Sequence, residues 1–532
     1  MIGIEIPYES DRNWRYRFWE IFPGFVSWTI LLSPLWLSLI NPQLTAMFVL
    51  GYLLIWFFKS VGMTIRSLQG FQFMEKQAKL DWSLLLDDLE HGKLRHQHAT
   101  NPKWHVRNVA RLIERPLCMK PSEVIHAIII ATYNESRETL EPTIKSVMAS
   151  HYDMKKVILI LAYEERGGER VETQAIELMH EYGSEFMYAA AVKHPGDIPG
   201  EVIGKGPNIT YAGRKLQEYI ESLPIEPLRV IVTTLDSDNR PHRSYLNALS
   251  YTYCSTEDPR YVSYQPIPLF LNNIWDAPSP MRVIATGNSF WNIVLSLRPH
   301  MLRNFSSHAQ SLAALIDTDF WSVRTIVEDG HQFWRTYFRY DGRHEVYPIF
   351  LPIYQDAVLA DGYVRTLKMQ FYQLRRWAWG ATDIAYVMTR GFSRNSKVPK
   401  VDMVMKAAAR LMEGHISWAT ASLLLLLAPL VPTLIKPTNF VANQLPHIAS
   451  TVQRVALVGI FVSLFLSMKS LPPKPERYKR HRSVFMVLQW VLLPVTTICY
   501  NTFAAINSQT RLMFGWYLGK FDVTEKAVKK DK

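Results

Sequence analysis

The chain has 532 residues, too many for one ordinary core, so more than one structural unit is required. Its 59 Lys and Arg against 47 Asp and Glu give a net charge of +12, which taken alone suits a nucleic acid or a membrane surface. Sixteen Trp and several long apolar stretches favour the membrane over nucleic acid, and three scattered Cys exclude a disulfide framework or a zinc site.

The N-terminus is rich in Glu, Asp and Arg and lacks the form of a cleavable signal peptide, so the first apolar stretch reads as a retained anchor. Residues 21–40 are long enough to span a bilayer, Asn41-Pro42 breaks the run, and residues 44–58 form a second segment ending at Lys59. Residues 1–60 are therefore expected to form a transmembrane hairpin, and the mixed, charged residues 61–123 a helical cytoplasmic connector.

From Val124 the pattern changes. A β-branched run, residues 125–130, ends in Thr132-Tyr133-Asn134-Glu135; residues 157–161 and 229–235 read as further buried strands, with helices over 141–149 and 172–182 between them. This alternation predicts an α/β domain over residues 124–400 with a largely parallel sheet and ligands at the carboxyl ends of its strands. Three more apolar segments, 416–435, 452–468 and 484–506, place C-terminal transmembrane helices within 401–507, followed by a short basic tail over 508–532.

Arg12, Arg15 and Arg17 precede the first span, and Lys59, Arg66, Lys76 and Lys79 follow the second. Lys469, Lys474, Arg477, Lys479, Arg480 and Arg482 lie between the last two. By the positive-inside rule all three regions, and the α/β domain with them, face the cytoplasm, as expected of a multi-pass plasma-membrane protein. Five spans then put the Lys-rich tail on the opposite side, against the same rule.

Several motifs carry chemistry. Asp236-Ser237-Asp238 comes directly off a strand; two carboxylates there suit Mg²⁺ or Mn²⁺ beside a substrate diphosphate, and the bland reading is a turn. Glu328-Asp329 supplies a carboxylate able to take a proton from an acceptor hydroxyl, or merely an acidic helix start. Gln373-Leu374-Arg375-Arg376-Trp377 offers guanidinium forks for phosphate and an indole face for a sugar ring, or a headgroup-level interfacial helix. Thr132 to Glu135 is placed to meet a nucleotide at the first strand end, and Lys205 in Gly204-Lys205-Gly206 is placed near phosphate, with loop and surface turn as the plain alternatives.

Over residues 125–379 this ordered set resembles the membrane-embedded family 2 glycosyltransferases, the group of cellulose, chitin and hyaluronan synthases. The resemblance implies a GT-A nucleotide-sugar-binding domain inserted between transmembrane helices, a UDP-sugar donor and an inverting transfer to a growing polysaccharide coupled to export. It implies Asp329 as general base, Asp238 and Asp236 at the metal, and Thr132, Glu135, Lys205, Asp236 and Arg376 at the donor. Trp377 would meet the acceptor, a glycan or a lipid-linked one, as would His308 in the matching loop Phe305-Ser306-Ser307-His308. Two departures stand out: Ala162-Tyr163-Glu164-Glu165 replaces the usual Asp-Asp pair, which leaves Glu164 or Glu165 to take its place, with Glu165 named at the donor, and Val327 replaces the usual Thr. Single-sugar transfer to a lipid, and a non-catalytic nucleotide-sugar-binding membrane protein, are the alternative readings.

Overall fold

The computed structural model describes residues 3–95, 101–117, 119–479, 481–519 and 524–527. Two long helices open the chain, α1 (Trp14–Ile40) and α2 (Pro42–Ala78). Asn41 has an extended backbone that ends α1, its side chain accepts from Gln43 N, and Pro42 occupies the first turn of α2, where a missing N–H costs nothing. α2 continues some five turns beyond Lys59 without a break, so hairpin and connector share one helix. α3 (Trp82–His91) and α4 (Lys103–Arg111) complete the connector, joined by a buried contact between Asp88 and His105 at 3.2 Å.

The α/β domain follows in the order β1 (Ile125–Thr132), α5 (Arg137–Met148), β2 (Val157–Glu164), α6 (Glu169–Tyr182), β3 (Tyr188–His194), α7 (Lys205–Glu221), β4 (Val230–Asp236) and β5 (Arg240–Pro241). It continues as α8 (Tyr245–Cys254), β6 (Val262–Leu269), α9 (Ser279–Ser296), β7 (Ala309–Ser311), α10 (Leu312–Asp317), α11 (Glu328–Arg339) and β8 (Glu345–Tyr354). Among the described residues the strands form one eight-stranded sheet, ordered β3-β2-β1-β4-β7-β6-β8-β5. The first four pair in parallel. Side chains alternate across them: Ile128, Ile130, Leu159 and Leu161 pack with Leu140, Ile144 and Val171 of α5 and α6, while Ile129, Ile158 and Ile160 pack with Ile209 and Leu216 of α7.

The other half carries the antiparallel pairings that make the expected largely parallel sheet a mixed one. β7 is antiparallel to both β4 and β6, and β5 is antiparallel to β8, so the sheet is mixed. β6 and β8 each carry two prolines, Pro266 and Pro268, Pro348 and Pro352, a composition that argues against an inner strand. They pair nonetheless, in parallel, with a register shift between Pro266 and Ile267.

After the sheet come α12 (Tyr363–Ala378), a 3₁₀ turn over Trp379–Thr382, and α13 (Asp383–Gly391). Among the described residues five helices are long and apolar enough to cross a membrane: α1, α2, Lys400–Ile435, Phe440–Ser470 and Arg482–Phe514. The first four form two hairpins that reverse at Asn41 and near residues 436–439, far from the sheet. The fifth does not behave as a simple crossing. At its start Arg482 donates to Trp275 O (2.7 Å), and at its end Arg17 donates to Leu512 O (2.7 Å) and Met513 O (2.6 Å). Trp275 belongs to the α/β domain and Arg17 to the domain-side end of α1, so both ends of this helix lie on one face of the bundle. Of the basic tail, the described Lys526 meets Asp238 of the α/β domain, and residues 520–523 and 528–532 lie outside the described residues. Apolar length satisfies the composition of a span, and only the contacts at its ends tell a span from a helix lying along the interface.

Candidate active site

The carboxyl ends of β1, β2 and β4 meet the N-termini of α7 and α11. β4 ends at Asp236, and Lys205 is the first residue of α7. The ammonium of Lys205 lies 2.8 Å from Asp236 Oδ1, 3.5 Å from Asp329 Oδ1 and 4.0 Å from Glu328 Oε1. A cation at a helix N-terminus is opposed by the dipole, and three surrounding carboxylates outweigh that. Burial alone would lower the Lys205 pKa, yet the charges of Asp236, Asp329 and Glu328 raise it. Gly206 makes the approach possible, because a Cβ there would stand 2.4 Å from Ser322 O and 3.1 Å from Glu328 Cβ. The Gly-Lys-Gly segment is thus a buried helix start, not a surface turn. Asn208, one turn on, donates to Ala162 O at 3.0 Å and fastens α7 to the end of β2.

Glu328 and Asp329 open α11, where the helix dipole favours carboxylates. The Glu328 pKa is raised, first by burial and then by the Asp329 charge. Asp329 is the more exposed of the two and has a buried Oδ1 that makes no hydrogen bond.

Asp236 has both oxygens engaged, Oδ1 by Lys205 and Oδ2 by Ser306 Oγ at 2.7 Å. Burial would raise its pKa, and Lys205 and Lys526 hold it well below the usual carboxylate range. Asp238 is arranged differently. Its Oδ2 accepts from Asp356 N (2.9 Å), its backbone O from Asn272 Nδ2 (2.9 Å), and its Oδ1 from the ammonium of Lys526 (2.8 Å). Lys526 also donates to Ser237 Oγ at 2.7 Å. It arrives from the end of the chain: Ala527 N bonds Leu359 O at 2.8 Å, and Glu525 pairs with Arg365. Asp356, just past the end of β8, has its pKa raised by burial and by Asp238, and its Oδ1 is buried without a partner.

Glu135 closes the turn after β1, with Oε2 accepting from Thr132 Oγ1 (2.8 Å), Tyr133 N (2.8 Å) and Asn134 N (3.2 Å). Burial works to raise its pKa, and Lys526 with these donors brings the net shift down. At the end of β2, Glu164 is buried and accepts from Arg166 and from His194, each at 3.1 Å, with Glu201 on the other nitrogen of His194 at 2.9 Å. Glu165 is exposed and accepts from Gly196 N at 2.8 Å.

His308 is fully buried. Trp321 Nε1 donates to its Nε2 at 3.0 Å, which leaves Nδ1 as the donor to Phe305 O at 2.9 Å. Both ring nitrogens are occupied, so the contact with an acceptor read for His308 has no free atom to use. The residue instead pins the 305–308 loop, in which Ser307 holds a left-handed backbone (φ 73°) and accepts from Asn239 Nδ2 at 3.0 Å. Trp377 and Arg376 lie in the last turn of α12; the Trp377 ring is 6.0 Å from Phe270, two residues before Asn272. The structure thus brings Lys205, Asp236, Asp238, Glu328 and Asp329 into one cluster with Thr132 and Glu135 at its edge. Arg376 and Trp377 sit on the neighbouring helix, and Glu165 sits one strand away.

Sequence reasoning missed three members. Asp356 follows a strand end just as Asp236 does, a signal masked by the prolines of β8. Ser306 was visible only as part of a loop. Lys526 gave no local signal at all, since nearly 290 positions separate it from Asp238.

Among the described residues no group of three or more His, Cys, Asp or Glu side chains is placed to hold a metal ion, so a cation at Asp238 would depend on substrate oxygens as well. Asp238 and the unpartnered Asp356 Oδ1 are hard oxygen ligands, and Mg²⁺ commonly takes one or two carboxylates plus substrate phosphates. Asp236, the other carboxylate read for the metal, is held by Lys205 and Ser306, just as Asp238 is held by Asp356 N and Lys526.

No protein-family model and no curated protein matches the chain. Among solved structures it is similar to the mannosyltransferase PcManGT from Pyrobaculum calidifontis in complex with GDP-Man and Mn²⁺, at 14% identity and a TM-score of 0.39, covering 84% of this chain and 99% of that one. It is also similar to S. aureus TarS 1-349, at 12% identity and a TM-score of 0.34, covering 74% and 93%. Identities and scores this low leave any functional assignment to the site itself.

Proposed function

We propose that the chain is a membrane-bound, inverting glycosyltransferase of the GT-A type, of the family 2 synthase kind. It would transfer a sugar from a UDP-sugar to the hydroxyl of a growing polysaccharide on the cytoplasmic face and pass the product toward export. The observation that carries this reading is the cluster at the strand ends. There one candidate base, Asp329, shares an ammonium with a nucleotide-side carboxylate, Asp236, beside a separate carboxylate pair, Asp238 and Asp356.

Each residue has a role in the displacement. Asp329 accepts the proton of the acceptor hydroxyl as its oxygen attacks the anomeric carbon, the bond from that carbon to the diphosphate oxygen breaks, and the nucleoside diphosphate leaves from the opposite face. Lys205, 3.5 Å from Asp329 Oδ1, holds that carboxylate in place, and its charge also faces the donor phosphates. Burial and the Asp329 charge raise the Glu328 pKa, which favours a neutral side chain there and keeps a second negative charge off the acceptor side. Thr132 and Glu135 shape the edge where the nucleoside lies, and the second oxygen of Glu165 is available to a base N–H. Asp238 and Asp356 would hold Mg²⁺ or Mn²⁺, which when bound supplies positive charge to the leaving diphosphate. Arg376 is assigned to diphosphate and Trp377 to the terminal sugar of the acceptor, across which a flat indole packs.

A second reading keeps the chemistry and takes a lipid-linked acceptor; the helix from Arg482 to Phe514, lying along the domain face of the bundle, favours access from the bilayer. The deciding experiment is release of nucleoside diphosphate from a panel of nucleotide-sugars by the full-length protein, with product length read on a gel. Asp329→Asn should bind donor as before and lose about 10²–10⁴ in turnover. A variant within twofold of the parent, or a parent that turns over no donor, removes the proposal.

A further inference from the structure

Arg66, Arg298, Arg303 and Arg410, with His300, form a second charged cluster away from the acidic site. They come from three separate parts of the chain: the domain-side stretch of α2, the segment after α9, and the start of the Lys400–Ile435 helix. α2 and α9 touch where Gly70 meets Ile293 and Leu297, which sets Arg66 beside Arg298. Arg410 Nη1 donates to His300 O at 2.5 Å, and the Arg303 guanidinium lies 4.0 Å from the Phe333 ring and 5.1 Å from the Trp334 ring. All four arginines are half-buried. Among the described residues none of the four forms an ion pair with a carboxylate; apart from the bond to His300, their hydrogen bonds are Arg303 to Leu302 O and Arg298 to Met301 Sδ. Burial and mutual repulsion push His300 and Arg298 down and Arg303 down to about 9, so the cluster is an uncompensated concentration of positive charge.

Depth in the membrane indicates the counter-ion. Arg66 lies about 24 residues past the turn at Pro42, or ~36 Å of helix, and Arg410 lies about 25 residues before the turn at Ile435, or ~37 Å. A hydrocarbon core of about 30 Å places both in the headgroup layer of the leaflet next to the domain. Lys59 and Glu413, one to two turns closer to the core on the same two helices, pair with each other, so they do not neutralise the cluster. Charges that only set topology would sit in the loops flanking the spans. Here Arg298 and Arg303 belong to the α/β domain, and they reach the same level only through the fold.

We propose that Arg66, Arg298, Arg303 and Arg410 form a binding site for the phosphate of an anionic phospholipid headgroup in the leaflet facing the domain. Guanidinium forks suit phosphate oxygens, and one lipid phosphodiester would relieve the repulsion that no side chain relieves. The segment from Arg298 to Arg303 leads directly into the 305–308 loop, whose Ser306 holds Asp236. The lipid therefore steadies the backbone that positions the acidic cluster. The inference concerns lipid binding and stands whether or not the cluster transfers sugar.

The test is equilibrium binding of radiolabelled phosphatidylglycerol to the full-length protein in neutral-detergent micelles that contain excess phosphatidylcholine. The expected result is saturable binding of phosphatidylglycerol over phosphatidylcholine. Replacing two guanidiniums, Arg66→Gln with Arg410→Gln, should weaken it about thirtyfold with the melting temperature unchanged. If the double variant does not fold, Arg298→Gln against Arg298→Lys takes its place: the glutamine should bind worst and the lysine should retain part of the affinity. Inorganic phosphate should displace the lipid no better than chloride at equal ionic strength. Equal binding of the two lipids, or variants that bind like the parent, overturns the proposal. Efficient displacement by inorganic phosphate would assign the cluster to a soluble phosphate compound instead and overturn it as well.

Discussion

Lys526 sits where a cation at Asp238 would sit, and removing its charge is the most direct probe of the site. Its ammonium is 2.8 Å from Asp238 Oδ1 and 2.7 Å from Ser237 Oγ, in a buried setting. At an effective dielectric of about 20 that ion pair is worth about 6 kcal/mol of gross attraction. Desolvation of both partners offsets much of it, and breaking a buried pair of this kind typically leaves a net cost of about 3–5 kcal/mol. A divalent ion that takes Oδ1 must first displace the ammonium, so part of this cost is subtracted from metal affinity in the parent protein. If only about 1.5–2 kcal/mol is recovered, Lys526→Gln should bind Mn²⁺ roughly 10- to 30-fold more tightly. Electron paramagnetic resonance of free Mn²⁺, titrated with full-length protein in detergent without donor, reads this directly. Glu525→Gln is the control: it loses only the pair with Arg365, whose side chains are 32% and 58% exposed and worth under about 1 kcal/mol, so metal affinity should not change. Unchanged or weaker Mn²⁺ binding by Lys526→Gln would refute the competition and leave Lys526 as a partner of the bound ion.

Asp356→Asn should weaken Mn²⁺ binding by on the order of tenfold or more while the fold holds, measured by the same titration, because the buried Oδ1 loses its charge. His194, between Glu164 and Glu201, is raised to about 9 although burial alone would lower it. A raised histidine stabilises fully below its unfolded pKa of about 6.5, and this is lost as pH climbs through about 9, so melting temperature should fall across that window by the equivalent of up to about 3 kcal/mol. His194→Gln should flatten the decline, and a profile equally steep in the variant would exclude this cluster as its source. Trp377→Ala should damage acceptor use more than donor binding, and Arg376→Ala should weaken nucleoside-diphosphate binding, compared by donor affinity and turnover of the two purified variants. Equal losses that track only stability would return this turn of α12 to the role of an interfacial helix.

Three strands of the parallel half, β1, β2 and β4, were legible because they are continuous β-branched and Leu-rich runs buried on both faces, each followed by an acidic or polar turn, whereas the Ala-rich, half-exposed edge strand β3 was not read. The same periodicity put Asp236 and Thr132 at strand ends, where the structure has them. The other half was not legible. β6 and β8 carry prolines that local rules place at edges, and they pair only because a register shift and antiparallel β7 accommodate them.

Sequence alone determined which residue types the site contains, their order along the chain, and the apolar helices around them, because these follow from short-range pattern and composition. It could not determine which partners each carboxylate is bonded to. Asp236 and Asp238 are two residues apart, yet Lys205 and Ser306 occupy one while Asp356 and Lys526 flank the other, and all four partners arrive from distant segments. It also could not say that the last apolar helix begins and ends on the same face of the bundle. Hydropathy measures how well a segment tolerates lipid, whereas the direction of a helix and the charge state of a buried carboxylate depend on what the fold brings against them.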